Sequence, residues 1–183
     1  VLKAGYALHV FNRTAAKAEA LLTQGATWAP SPQALAARTG LVISIVTDDD
    51  ALHTVALGEH GILAGLPTQG IHIDMSTVFP DTSKHLAQLY RERGAHFIAA
   101  PVSGRPEHAA AAKLVIYQAG PAEALERCRP LLAALGQRII AVGGTDQVLT
   151  ARKFKSEDLK GVSSVRVQLG NPLLRTLAGK KEL

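Results

Sequence analysis

Four short stretches combine small polar residues, cations and turn formers in the manner of a ligand crevice. They are FNRT (11–14), VTDDDAL (46–52), DMSTVFPDTS (74–83) and APVSGRPEHAAAAKL (100–114). Each begins at or just after a β-rich run. In open α/β sheets ligands lie beyond the carboxyl ends of the strands, so these are positions where side chains meet a ligand. FNRT closes its strand without an acid. The ribose hydroxyls of NAD are held by an acid at such a position, whereas Arg13 suits the 2′-phosphate of NADP through a charge-assisted fork. Thr14 and the start of the following helix add donors, and Lys17 lies about one turn further on. The competing reading of these residues is a helix cap beside a surface arginine.

The other three stretches carry the rest of the chemistry. Val46 and Thr47 end an apolar run and would lie along a bound cofactor by backbone and small side chain. Asp48, Asp49 and Asp50 read as a helix start, with acid at the positive end, rather than as a metal site. The histidines are scattered without ligand spacing, so no metal is expected. Ser76 and Thr77 fall where the nicotinamide end of a dinucleotide would lie; a capped turn is the alternative, and Asp74 reads as structural. Ser103 and Gly104 follow a strand and a proline. Glycine permits close approach of the backbone, and free N–H groups there would grip a carboxylate; the alternative is a simple turn.

The elements that must position these residues are legible as alternation. Strands are expected at 8–11, 27–29, 41–46, 71–75, 96–99, 114–119 and 138–142. Helices are expected after Thr14 as far as Gly25, and at 33–38, 80–93 and 122–135. The run LVISIV at 41–46 is continuously apolar, as in a strand buried on both faces. This rhythm predicts an α/β fold: a mostly parallel sheet with helices on both faces. The pattern weakens after Gly144. The boundary is therefore placed at 147, giving a domain over 1–147 and a basic tail over 148–183.

Composition agrees with a folded domain. Of 183 residues, 47% are hydrophobic and 19% charged, enough to bury a core. No apolar run approaches the length of a membrane span. The single cysteine, Cys128, excludes an internal disulfide and fits a reducing, cytoplasmic setting. Residues 151–183 hold eight basic and three acidic residues, so the tail carries the whole net charge of +5. It reads as a solvated end rather than as a nucleic-acid contact.

In this order and spacing, VFNRT (10–14), GILAGL (61–66), IDMSTVFPDTS (73–83) and APVSGRPEHAAAAKLVI (100–116) resemble the 3-hydroxyisobutyrate dehydrogenase-like, or β-hydroxyacid dehydrogenase, family. Its cofactor domain is related to that of 6-phosphogluconate dehydrogenase. The resemblance covers about residues 1–145. It implies a Rossmann-like domain, an NAD(P) cofactor and hydride transfer to or from a small hydroxy or keto acid; an imine lies within the wider superfamily. By motif, Asn12, Arg13 and Thr14 would hold the adenosine end, and Val46 and Thr47 would border the cofactor. Thr77 would lie near the nicotinamide, and Ser103 and Gly104 would hold the substrate carboxylate.

The chain departs from the family pattern in places. The first strand and glycine-rich phosphate loop are expected to be missing, as is the helical C-terminal domain. Ala99 stands where an acid is usual, and Arg105, itself able to meet a carboxylate, stands where a second glycine is common. Counting on from VGG (142–144), Lys153 falls where the catalytic lysine is expected, but Glu157 replaces the asparagine one turn later. The reading is an NADP-dependent oxidoreductase in incomplete form. The alternative is a non-catalytic nucleotide-binding or interaction module. Strands flanking the missing one would have open edges, which predicts poor stability or a homodimer.

Overall fold

In the computed structural model, which describes residues 1–142, the β-rich runs form mostly parallel ladders linked by helices. The first ladder pairs β1 (His9–Val10) with β2 (Thr27–Trp28). The second joins β3 (Leu41–Ser44), β4 (Ile71–Asp74) and β5 (His96–Ala99), all parallel, with β4 in the middle. The third comprises β6 (Val102–Ser103), β7 (Leu114–Gln118) and β8 (Gly136–Ala141); β6 runs antiparallel to β7, and β8 runs parallel to it. Ala99 and Ala119 exchange both backbone hydrogen bonds, at 3.0 and 2.9 Å, and so join the second ladder to the third.

The helices are α1 (Glu19–Leu22), α2 (Pro32–Thr39), α3 (Asp49–Leu57), α4 (Ile62–Gly65), α5 (Pro80–Glu92), α6 (Pro106–Ala110) and α7 (Ala122–Ala133). Successive strand residues point to opposite faces, and helices cover both. Val42, Phe97, Val115 and Tyr117 pack under Ala36 of α2, Leu52 of α3, Ile62 of α4 and Leu86 and Tyr90 of α5. On the other face Ile71, Ile73, Ile98 and Ile116 pack under Ala124, Cys128 and Leu132 of α7. Close approach of α4 to α2 depends on Gly65, where a Cβ would lie 2.1 Å from the Gln33 carbonyl oxygen.

Some expectations need correction. Strand β3 stops at Ser44 and is not buried on both faces: Leu41 and Ile43 are half-buried and Ile45 is 68% exposed. The reason is its place at the edge of its ladder, bonded to β4 alone among the described residues, while α7 packs over β5 and β8. The Thr14 side chain caps nothing. The segment it opens begins as a tight 3-10 turn, Ala15–Ala18, and becomes α-helical only for the four residues of α1. The stretch read as a loop after residue 100 contains both the short strand β6 and the short helix α6. The boundary at 147, the tail over 148–183 and Lys153 lie outside the described residues.

Candidate functional site

The loops leaving the carboxyl ends of β1, β3, β4 and β5 carry the four stretches. At the end of β1, the Thr14 amide donates weakly to Asn12 Oδ1 at 3.4 Å, and the Lys17 amide donates to the Thr14 carbonyl at 3.0 Å. The 3-10 geometry stacks residues three apart, so Thr14 and Lys17 share a side of the turn. Arg13, Thr14 and Lys17 are exposed. On the turn after β3 Asp48 caps α3, accepting the Ala51 amide at 2.8 Å and the Thr47 hydroxyl at 2.8 Å. The Ala51 amide, the Thr47 hydroxyl and the charge of Arg13 together hold the Asp48 carboxyl below its ordinary value. Arg13 is thus an electrostatic neighbour of Asp48. The three aspartates divide as a helix start requires. Asp48 is the cap, and Asp49 ties α3 to α5 by accepting the Phe79 amide at 3.0 Å and the Thr82 hydroxyl.

The turns after β3 and β4 are joined by a buried polar chain. The Val46 amide donates to Ser76 Oγ at 2.9 Å, and Ser76 Oγ donates to Asp74 Oδ1 at 2.6 Å. The same carboxylate oxygen accepts Ser44 Oγ at 2.7 Å; Ser44 Oγ meets His72 Nε2 at 2.8 Å, and His72 Nδ1 meets the Tyr90 hydroxyl at 2.7 Å. Asp74, His72 and Tyr90 are all fully buried. Desolvation pushes the Asp74 carboxyl and the Tyr90 phenol up, and lowers the His72 imidazole from 6.5 to about 3. The Val46 amide therefore points inward to Ser76 rather than outward to a ligand. Thr47 is exposed and Thr77 half-buried, on the turns that follow β3 and β4.

At the loop after β5, Ser103 is only 3% exposed and its backbone lies in the β6–β7 ladder opposite Val115. The Tyr117 amide donates to the Pro101 carbonyl at 3.0 Å, and antiparallel alternation makes Ser103–Val115 the next hydrogen-bonded pair. The Arg105 amide is also engaged, donating to His108 Nδ1 at 3.0 Å. The expectation of several free N–H groups is corrected: of the three residues, only the Gly104 amide has no hydrogen-bond partner among the described residues. Gly104 sits at φ 151°, and a Cβ there would lie 2.8 Å from Leu114 Cδ2, so the position demands glycine. The Arg105 side chain is exposed beside it.

Sequence reading missed Ser44, His72 and Tyr90 as parts of the site. The available signal was polar residues alternating into apolar strands, the Ser of LVIS and the His and Asp of IHID, on the face that meets a helix. The cations at the end of β1 are exposed, and the turn that carries them, residues 11–18, has no carboxylate. Among the described residues no group of three His, Cys, Asp or Glu is placed to hold a metal ion, and no helix is long and apolar enough to cross a membrane.

Residues 1–144 match the family described as the NAD binding domain of 6-phosphogluconate dehydrogenase. The chain is 48% identical over 154 residues to the uncharacterized oxidoreductase YfjR of Bacillus subtilis, covering 84% of this chain and 54% of that protein. It is 35% identical over 150 residues to the NAD-dependent L-serine dehydrogenase of Pseudomonas aeruginosa, covering 81% of this chain and 50% of that protein. Among solved structures, that of Psf3 in complex with NADP+ and 2-OPP superposes with a TM-score of 0.76 at 32% identity, covering 80% of this chain and 52% of that one. The chain spans about half the length of these two relatives.

Proposed function

Because the chain belongs to the family of the NAD-binding domain of 6-phosphogluconate dehydrogenase, we infer that its crevice takes a nicotinamide dinucleotide, NADP(H) in preference to NAD(H), for hydride exchange with a small hydroxy or keto acid. The observation that carries the cofactor choice is the turn after β1, where Arg13 and Lys17 are exposed and no acid stands. The relatives divide on this point: Psf3 was solved with NADP+, and the L-serine dehydrogenase is NAD-dependent. The exposed Arg13 supports the phosphorylated form.

In this reading Asn12, Arg13, Thr14 and Lys17 take the adenosine 2′-phosphate. Val46 and Thr47 border the dinucleotide, and Thr77 lies near its nicotinamide. The bound dinucleotide supplies the hydride chemistry, and the protein supplies binding and orientation. The substrate carboxylate meets the Gly104 amide and the Arg105 guanidinium, with Ser103 fixing the loop from below. Lys153 is the proposed proton donor to the substrate oxygen, on sequence distance alone; an acid so placed contributes about 10²–10⁴-fold.

The test is titration of the chain with NADPH and NADH, followed by nicotinamide fluorescence. Saturable binding that favours NADPH is expected, with Arg13→Ala weakening NADPH about tenfold to a hundredfold and leaving NADH unchanged. Equal affinities for the two, unaltered in Arg13→Ala, would sink the NADP assignment. Where turnover of a hydroxy acid is found, Lys153→Ala should lower kcat with little change in cofactor affinity.

A further inference from the structure

The hydrogen positions in the buried chain beneath the crevice follow from counting donors. Asp74 Oδ1 faces three donors: Ser44 Oγ at 2.7 Å, Ser76 Oγ at 2.6 Å and the Ser76 amide at 3.3 Å. Each serine hydroxyl has one proton and spends it on Asp74. Ser44 Oγ can then only accept from His72 Nε2, so Nε2 carries the ring proton. The ring is fully buried and its pKa falls to about 3, so it is neutral and Nδ1 is an acceptor for the Tyr90 hydroxyl. Ser76 Oγ, its own proton spent, accepts the Val46 amide at 2.9 Å. The donors converge on Asp74 from two sides, from Tyr90 on α5 through His72 and Ser44, and from the Val46 amide through Ser76.

A core of this size closes as well with apolar side chains, and a polar chain is costly unless every member is satisfied. This one does not end in the core. It ends on the turn after β3 and the turn after β4, the two that carry Thr47 and Thr77. We propose that His72 and Tyr90 are positioning residues for the dinucleotide crevice. Acting through Ser44, Asp74 and Ser76, they fix the Val46 amide and thereby the spacing of the two turns. The role at the dinucleotide rests on the function inferred above; the mechanical part does not.

The experiment is amide and imidazole NMR on the ¹⁵N-labelled full chain, wild type against Tyr90→Phe and Ser76→Ala, with NADPH titration of each. In the wild type, His72 should be the Nε2–H tautomer from pH 5 to 8, with a slowly exchanging ring proton. Tyr90→Phe should speed exchange of the Val46 amide at least tenfold, leave the Val42 and Ile73 amides unchanged, and weaken NADPH about tenfold. Ser76→Ala, at the end of the chain nearest the turn, should do the same at Val46 and decides the matter should Tyr90→Phe fail to fold. An Nδ1–H tautomer in the wild type, or Val46 exchange equal to wild type in the variants, overturns the proposal. So does unchanged NADPH affinity in variants whose Val46 amide has loosened. A wild type that binds no NADPH refutes the function inferred above instead, and Val46 exchange then decides the mechanical claim by itself.

Discussion

His72 shows what a single buried base does to the chain. Its folded pKa of about 3 lies below the ordinary 6.5, because a charged imidazole would be stripped of water between Tyr90, Phe97, Ser44 and Asp74. Below pH 6.5 the unfolded chain takes up a proton that the folded chain refuses, so stability present above 6.5 is lost as pH falls toward 3. At pH 4.5 the loss from this residue is about 3 kcal/mol, a large part of a typical folding free energy. Asp74 acts in the opposite sense: burial raises its pKa, so the folded chain keeps its proton to higher pH than the unfolded one does. Denaturant titrations at several pH values should show the wild type losing stability between pH 6.5 and 4.5 relative to His72→Gln, which cannot take the proton; an equal pH dependence in both would exclude a contribution from His72.

Two helix starts look alike in sequence and differ in structure. Ser31 precedes Pro32 and accepts the Ala34 amide at 3.0 Å, so it satisfies one of the four orphan donors of α2. Thr14 precedes an alanine run, and its hydroxyl accepts nothing from the turn it opens. Ser31→Ala should therefore cost about 1 kcal/mol in chemical denaturation, whereas Thr14→Ala should leave stability unchanged and weaken NADPH. A stability loss in Thr14→Ala equal to that in Ser31→Ala would show that Thr14 acts as a cap in solution. The pair also marks how far the sequence could be read. The alternation of apolar runs and alanine-rich segments gave the parallel architecture, because burial of one strand face and one helix stripe is a local pattern. It did not give the 3-10 turn after Thr14, the strand β6 or the helix α6, which are too short for periodicity to register. Arg13, Thr47, Thr77 and Gly104 were legible as turn residues just past strand ends, because turn chemistry follows an apolar run. The Ser44–His72–Tyr90 chain was not, because it joins residues 28 and 18 positions apart and exists only once β3, β4 and α5 have packed. For the same reason the sequence could not show that β6 and His108 already occupy the Ser103 and Arg105 amides.

At the scale of the whole molecule the two faces of the sheet are unequally covered. Ile73 lies at the centre of the face under α7 with no exposure, and Ile73→Ala should cost about 2–5 kcal/mol through the cavity it leaves. Ile45, just past the end of β3 and 68% exposed, has almost no burial to lose, and Ile45→Lys should change stability by less than about 0.5 kcal/mol. The contrast matters because β3 also offers backbone groups. The amides of Ile71 and Met75 bond the carbonyls of Gly40 and Ser44, so by alternation the groups of Leu41, Ile43 and Ile45 face away from β4. The Thr39 hydroxyl reaches the Leu41 carbonyl at 2.9 Å, while Ile43 and Ile45 have no such cover among the described residues. An apolar strand edge of this kind invites another strand unless a charge guards it. Sedimentation velocity over a range of concentrations should therefore show the chain associating with itself, and Ile45→Lys should shift that association to higher concentration without altering the fold. A chain that stays monomeric throughout would mean that the edge of β3 is covered within one molecule, and the homodimer would have to be given up.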